Sequence, residues 1–285
     1  MILVIGGTGT VGSQVVRELL ARGRRLKVLT RNTGKTQAVP ESVERVVGNL
    51  LDPETLRSVF KGVDAVYMTN PSGPSEAYEG LNAVAGARSA GVKRFVYQSV
   101  FGADEVDVPI VASKTIIEAS LKASGMAFVI LRPNNFYQND HWFRDAVLQY
   151  GVYPQPLGNV GVSRVDVRDI AEAAAIVLTT DTHDGATYNL VGPQSLTVSD
   201  VAAVWSEVLG KPVSCGSDDL NEWEAAARQS LPAQSVYDLR LLFELFHTRG
   251  FKASRSDVER QTRLLAHAPR HFKTFAEEAA IAWRT

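Results

Sequence analysis

Thiols are almost absent from this sequence. One cysteine, Cys215, stands among 285 residues. A single thiol makes no internal disulfide and no cysteine zinc cluster, which fits a reducing compartment. The five histidines (His141, His183, His247, His267 and His271) form no His-Glu-x-x-His or comparable pattern, so no metal site is expected. Neither sign of charge dominates: 30 Lys plus Arg stand against 31 Asp plus Glu, a net charge of -1. A chain that neutralises many phosphates carries a basic excess, so no nucleic-acid partner is expected. No apolar run approaches the ~18 residues of a membrane span. The opening run Met1-Ile2-Leu3-Val4-Ile5 is shorter than a signal-peptide core and no basic region precedes it. No Gly-x-Ser-x-Gly elbow is present, which argues against a serine hydrolase. These absences lead to the expectation of a cytoplasmic protein without a membrane partner. A monomer or small homo-oligomer is expected, and no residue pattern sets which.

What is present is an alternation of short apolar runs with helical patterns. Ile2 to Ile5 is continuously apolar, as in a strand buried on both faces. Val11, Val15, Val16, Leu19 and Leu20 then recur at helical spacing, with Gly23 as the stop. Further strands are expected at Leu26 to Thr30, Val43 to Val47, Ala65 to Met68, Arg94 to Gln98 and Ala127 to Leu131. Helices are expected from Asp52-Pro53 to Lys61, from Ser75 to Ala90 and from Ser113 to Ser124. Such alternation implies parallel βαβ units in a doubly wound sheet. Asp166 to Thr179 (a helix) and Thr187 to Val191 (a strand) continue it. The cluster of Asp166, Arg168 and Asp169 reads as a structural helix start. A capping box of Thr197 and Asp200 and a start at Asp219 with Glu222 then introduce a mainly helical end of the chain. The expected organisation is a dinucleotide-binding domain at 1–150, with 163–192 returning to it. A smaller, mainly helical C-terminal substrate lobe covers 151–285.

Gly6, Gly9 and Gly12 lie three apart between the first strand and the first helix. Glycines there permit a tight turn and close backbone approach, and the helix then presents its positive end to a pyrophosphate. The loop residues Gly6, Thr8, Gly9, Thr10, Val11 and Gly12 are therefore expected to hold a dinucleotide in a Rossmann-type α/β fold. The second strand ends in Thr30-Arg31-Asn32, with Lys35 close behind and no carboxylate. An arginine matches a ribose 2′-phosphate that a carboxylate would repel, so the expected cofactor is NADP(H). Lys35 is a second candidate for the same phosphate.

With these residues the sequence resembles the NmrA-like branch of the atypical short-chain dehydrogenase/reductases over nearly its whole length. The resemblance also rests on Gly48-Asn49-Leu50-Leu51-Asp52, Val92 to Tyr97, Ser124-Gly125, Leu131-Arg132-Pro133-Asn134-Asn135-Phe136 and Val165 to Glu172. Within that family it looks most like triphenylmethane, azo-dye and quinone reductases. The resemblance implies that Asp52 lies near the adenine, alongside its reading as a simple helix N-cap. It implies that Thr69, Asn70 and Pro71 line the cofactor ribose, and that Pro133, Asn135 and Phe136 lie near the nicotinamide. Ser99, after the fifth strand, is either a nicotinamide contact or a strand-end cap.

The superfamily's Tyr-x-x-x-Lys motif falls on Ile110-Val111-Ala112-Ser113-Lys114. The lysine is kept as a cofactor contact, but isoleucine neither donates nor accepts a proton. Conventional carbonyl reduction, with a tyrosine protonating the alkoxide, is therefore in doubt. Lys114, Tyr137 and His141 are the remaining candidates for a catalytic role. Phe136, Tyr137, His141, Trp142 and Tyr153 would suit an aromatic rim for a flat substrate, or else core packing. Two functions follow. One is a reductase passing hydride from NADPH to a small aromatic or conjugated acceptor such as a quinone, azo dye or triarylmethyl cation. The other is a non-catalytic redox sensor of the NmrA type. A ketone or aldehyde reductase with an unmatched tyrosine is a third.

Overall fold

The computed structural model describes residues 1–31, 39–106 and 108–284. Along the chain run β1 (Ile2–Ile5), α1 (Thr10–Ala21), β2 (Leu26–Thr30), β3 (Glu44–Val47), α2 (Pro53–Phe60), β4 (Ala65–Met68), α3 (Glu76–Ser89), β5 (Arg94–Gln98), α4 (Pro109–Lys122) and β6 (Ala127–Pro133). There follow β7 (Val152–Tyr153), α5 (Val167–Thr179), β8 (Ala186–Leu190), α6 (Val198–Leu209), β9 (Ser214–Cys215), α7 (Leu220–Ala227), α8 (Ala233–Thr248), α9 (Arg255–Leu265) and α10 (Phe272–Arg284). A 3-10 turn at Tyr137–Phe143 and a π-helical turn at Ala146–Tyr150 precede β7. No helix among the described residues is long and apolar enough to cross a membrane.

Two compact units result: 1–133 with 167–189, and 134–166 with 190–285. The chain leaves the first unit where β6 ends, at Pro133, earlier than the expected range of 1–150.

The first unit is an α/β Rossmann-type fold around a seven-stranded sheet of order β3-β2-β1-β4-β5-β6-β8. All pairings from β3 across to β6 are parallel. The fully buried strands β1 and β4 account for the unbroken apolar runs at Ile2–Ile5 and Ala65–Met68; β2 is fully buried as well, and Lys27 within it donates to the Lys61 carbonyl at 3.0 Å. Leu3, Ile5, Val66, Met68, Phe95, Tyr97 and Ile130 share a core with Leu56, Val59 and Phe60 of α2, Ala83, Val84 and Ala87 of α3, and Ile117 and Leu121 of α4. Helices α1 and α5 pack on each other and on the sheet. Because the strand order reverses between β1 and β4, the ends of those two strands open a crevice, the usual ligand position in such sheets.

Local chemistry sets several boundaries. Asp52 caps α2 by accepting a bond from the Glu54 amide at 3.1 Å, with Pro53 at the first helical position. The Thr197 and Asp200 capping box forms as read from the sequence. Helix α4 starts at Pro109 rather than Ser113, because a proline fits the first turn, where its missing N–H costs nothing. Ile110 and Lys114 therefore lie one turn apart on one helix face.

The second unit carries α6 to α10 and a two-stranded sheet of β7 and β9. Its interior holds Trp205 and Trp283 stacked at 4.5 Å, with Phe272, Phe275 and Tyr137 around them.

Candidate functional site

The crevice of the first unit is built from glycine. Gly6 has φ +83°, and a Cβ there would stand 2.2 Å from the Thr69 carbonyl oxygen. A Cβ on Gly12 would stand 2.1 Å from the Gly6 carbonyl. Both positions exclude any side chain, since the loop after β1, the end of β4 and the start of α1 approach to backbone contact. Gly9 is the N-cap of α1 and supplies no side-chain bond to the first-turn amides. Thr8, Gly9 and Thr10 are exposed, whereas Val11 and Gly12 are buried beneath them. An exposed helix start with uncapped amides and no Cβ in the way is a cradle for a pyrophosphate, so these residues fit a dinucleotide.

Arg31 follows the last residue of β2 and is exposed. Asn32 and Lys35 lie outside the described residues. Asp52 is exposed, with one carboxylate oxygen engaged as the α2 cap.

At the end of β4, the Thr69 amide donates to the Ile5 carbonyl at 3.1 Å and ties the two crevice strands together. Asn70 is buried. Its Nδ2 donates to the Glu76 carbonyl at 3.0 Å and lies 3.5 Å from Glu79 Oε2. That pattern fixes the amide orientation and leaves Oδ1 buried without a partner among the described residues. An orphaned acceptor here suits a hydroxyl donor such as a ribose. Pro71 is exposed beside it.

Lys114 Nζ donates to Glu76 Oε1 at 2.5 Å, and that carboxylate is 1% exposed. Tyr97, on β5, is buried with an unpartnered hydroxyl, and burial together with the charges of Glu76 and Glu118 pushes its pKa up. Ser99 is buried after β5 and faces the Glu118 carboxylate. Burial works to raise the Glu118 pKa, but Arg132 outweighs it by donating to both carboxylate oxygens, at 2.9 and 2.8 Å. Arg132 also pairs with Asp104 at 2.7 Å. The Pro133 carbonyl accepts from the Phe101 amide at 3.0 Å. The structure thus brings Gly6, Gly12, Thr69, Asn70, Ser99 and Lys114 into one unit. Glu76, Glu118 and Arg132 were not anticipated as its charged partners. For Glu76 the signal available in the sequence was a carboxylate in the first turn of a helix, which reads as a dipole contact.

The remaining candidates belong to the second unit. Asn135 Oδ1 accepts from Arg164 Nε at 2.9 Å, and the Phe136 carbonyl accepts from Arg164 Nη2 at 2.7 Å. Tyr137 is fully buried, with its hydroxyl 3.2 Å from the Arg270 carbonyl and its ring against Phe272 at 5.2 Å. Tyr153 is fully buried too, 2.9 Å from Asp140 Oδ1, and burial pushes its pKa well up. The two tyrosines are interior packing, not an open rim, because each hydroxyl finds a fixed partner inside the unit. Trp142 is exposed. His141 keeps an exposed edge, and its Nδ1 accepts from Trp283 Nε1 at 3.0 Å.

A profile of the NmrA-like family matches residues 1–276. An NAD(P)H azoreductase of Xenophilus azovorans is 37% identical over 216 residues, covering 75% of each chain. The NADPH-dependent quinone oxidoreductase of Escherichia coli, solved with NADPH, superposes with a TM-score of 0.88 at 23% identity, over 98% of this chain and 100% of that one. The Citrobacter sp. triphenylmethane reductase, solved with NADP(H), gives 0.85 at 24% identity over 98% and 99%. The glycine cradle, the sheet order and this coverage agree: the chain belongs to the NmrA-like family.

Proposed function

We propose that this chain is an NADPH-dependent reductase that passes hydride to a flat conjugated acceptor of the azo, quinone or triarylmethane type. The observation that carries the reading is the glycine cradle, where a Cβ on Gly6 or Gly12 would meet backbone, with Arg31 at the end of the next strand. The azoreductase relative supports the acceptor class. Bound NADPH would supply a hydride, which carries two electrons; a quinone or azo acceptor also takes a proton from water, and a triarylmethyl cation takes the hydride alone.

The chain's own residues bind and orient. The amides at the start of α1 hold the pyrophosphate, and Arg31 pairs with the 2′-phosphate. Asn70 Oδ1 accepts from a ribose hydroxyl, and Lys114 donates to the nicotinamide ribose. Ile110, in the tyrosine position, supplies no phenol to protonate an alkoxide. Acceptors that delocalise charge need little acid catalysis, so positioning supplies most of the rate. The single exposed cysteine, Cys215, supports a reducing, cytoplasmic setting.

Loss of NADPH absorbance with a panel of quinones and azo dyes tests this reading. Oxidation well above background with at least one acceptor is expected. Tight NADPH binding with no oxidation across the panel would favour a non-catalytic redox sensor, the reading that Ile110 also suits. Arg31→Glu is expected to weaken NADPH binding about tenfold or more relative to NADH. An unchanged ratio would remove the 2′-phosphate assignment.

A further inference from the structure

Glu76 is a buried carboxylate at the first position of α3, 1% exposed, and no sequence motif claims it. Lys114 reaches it from the second turn of α4, with its own side chain 12% exposed. The Glu76 backbone is fixed as well, because Asn70 Nδ2 donates to its carbonyl. Ser75 Oγ donates to Glu79 Oε1 at 3.2 Å and stiffens the same turn. Buried ion pairs are poor sources of net stability compared with apolar packing, so one held this firmly beside a ligand crevice serves something other than folding. A lysine ammonium has three donors; Glu76 takes one and leaves two. Ile110, one turn earlier on the same face of α4, offers nothing to align Lys114.

We infer that Glu76 is a positioning residue for Lys114: it holds the ammonium in place by a direct ion pair, so that the two remaining N–H donors serve the nicotinamide ribose. The inference rests on the reading of the chain as an NADPH-dependent reductase. Glu76 takes over the alignment that a motif tyrosine would otherwise share, and it touches neither cofactor nor acceptor itself.

The test uses the full chain and the variants Glu76→Gln, Glu76→Asp, Lys114→Met and Glu76→Gln with Lys114→Met. The first readout needs no cofactor. The exchange of the Lys114 ammonium protons with water is followed by 15N-edited NMR and is expected to be slow in the wild type and to quicken about tenfold in Glu76→Gln. The second is NADPH affinity by fluorescence, with KM and kcat for 1,4-benzoquinone reduction. Glu76→Gln is expected to weaken NADPH binding about tenfold and to raise the KM for NADPH with little change in kcat. Glu76→Asp is expected to restore both readouts, and Glu76→Gln to add nothing to Lys114→Met. An unmoved Lys114 proton exchange and NADPH affinity, with only a lower melting temperature in Glu76→Gln, would overturn the inference and leave the reductase reading standing. A wild-type chain that binds no NADPH would overturn the reading, and with it the inference.

Discussion

Arg164 Nη2 and Asp140 Oδ1 meet at 2.6 Å with neither side chain exposed, and the pair organises the polar interior of the second unit. Asp140 also accepts from Trp205 Nε1 at 3.0 Å, and Arg164 holds Asn135 and the Phe136 carbonyl. Tyr153 and Trp205, which bond Asp140, are fully buried, whereas Asn135 and Phe136, which Arg164 holds, are half-buried. Asp140→Asn would leave the guanidinium buried without its counter-charge. The expected loss is about 3–5 kcal/mol, read from urea unfolding. Tyr153→Phe keeps both charges and removes a hydroxyl that accepts from Arg164 Nη1 at 3.2 Å and lies 2.9 Å from both Asp140 Oδ1 and Gln155 Oε1; it should cost less, about 1.5–3 kcal/mol. Equal losses from the two variants would show that charge is not what the cluster depends on.

His141 supplies a pH dependence. Trp283 Nε1 donates to its Nδ1, so the neutral ring carries its proton on Nε2. Burial lowers its pKa from 6.5, with the Asp140 charge opposing. The folded state thus binds this proton less readily than the unfolded one. Its contribution to stability is complete above the unfolded pKa of ~6.5 and is lost as pH falls through the lower folded value. The melting temperature of the wild type should decline over that acidic window, and His141→Gln should flatten the decline. An NMR titration placing the His141 pKa above 6.5 would contradict the assignment.

Tyr97 carries a buried hydroxyl with no partner among the described residues. Tyr97→Phe keeps the ring in the core and removes an unsatisfied polar group. Stability is expected to hold or to rise by up to about 1 kcal/mol in denaturant unfolding. A loss above about 1 kcal/mol would reveal a partner for the hydroxyl.

The crevice glycines differ in tolerance. A Cβ at Gly12 would meet the Gly6 carbonyl at 2.1 Å, whereas a Cβ at Gly9 would stay 3.4 Å from it. Gly12→Ala is expected to weaken NADPH about a hundredfold, or ~2.7 kcal/mol, in a fluorescence titration. Gly9→Ala should do much less while circular dichroism stays unchanged. Equal effects would mean that the loop moves freely and that backbone approach does not limit binding.

Much of the first unit was legible because its signals are local. Apolar runs of four or five residues marked the buried strands. Asp52-Pro53 marked the start of α2, and the Thr197 and Asp200 pair marked α6. The start of α4 was read late, because a proline before an apolar stretch passes for a loop until its place in the first turn is known. The aromatic residues after β6 were ambiguous for a different reason. Tyr137 and Tyr153 carry the same chemistry whether they line a pocket or fill a core, and only their burial separates the two roles.

The sequence by itself determined the parallel α/β plan, the glycine cradle and the lysine without its tyrosine, since periodicity, spacing and residue type are properties of neighbours in the chain. Tertiary structure alone decided which charges are buried and with whom. Glu76 and Lys114 are separated by 38 positions, and Asp140 and Arg164 by 24. No local pattern relates such residues. Each pair is chosen by the cost of taking a charge out of water, which is met only when the fold brings its opposite within hydrogen-bond distance.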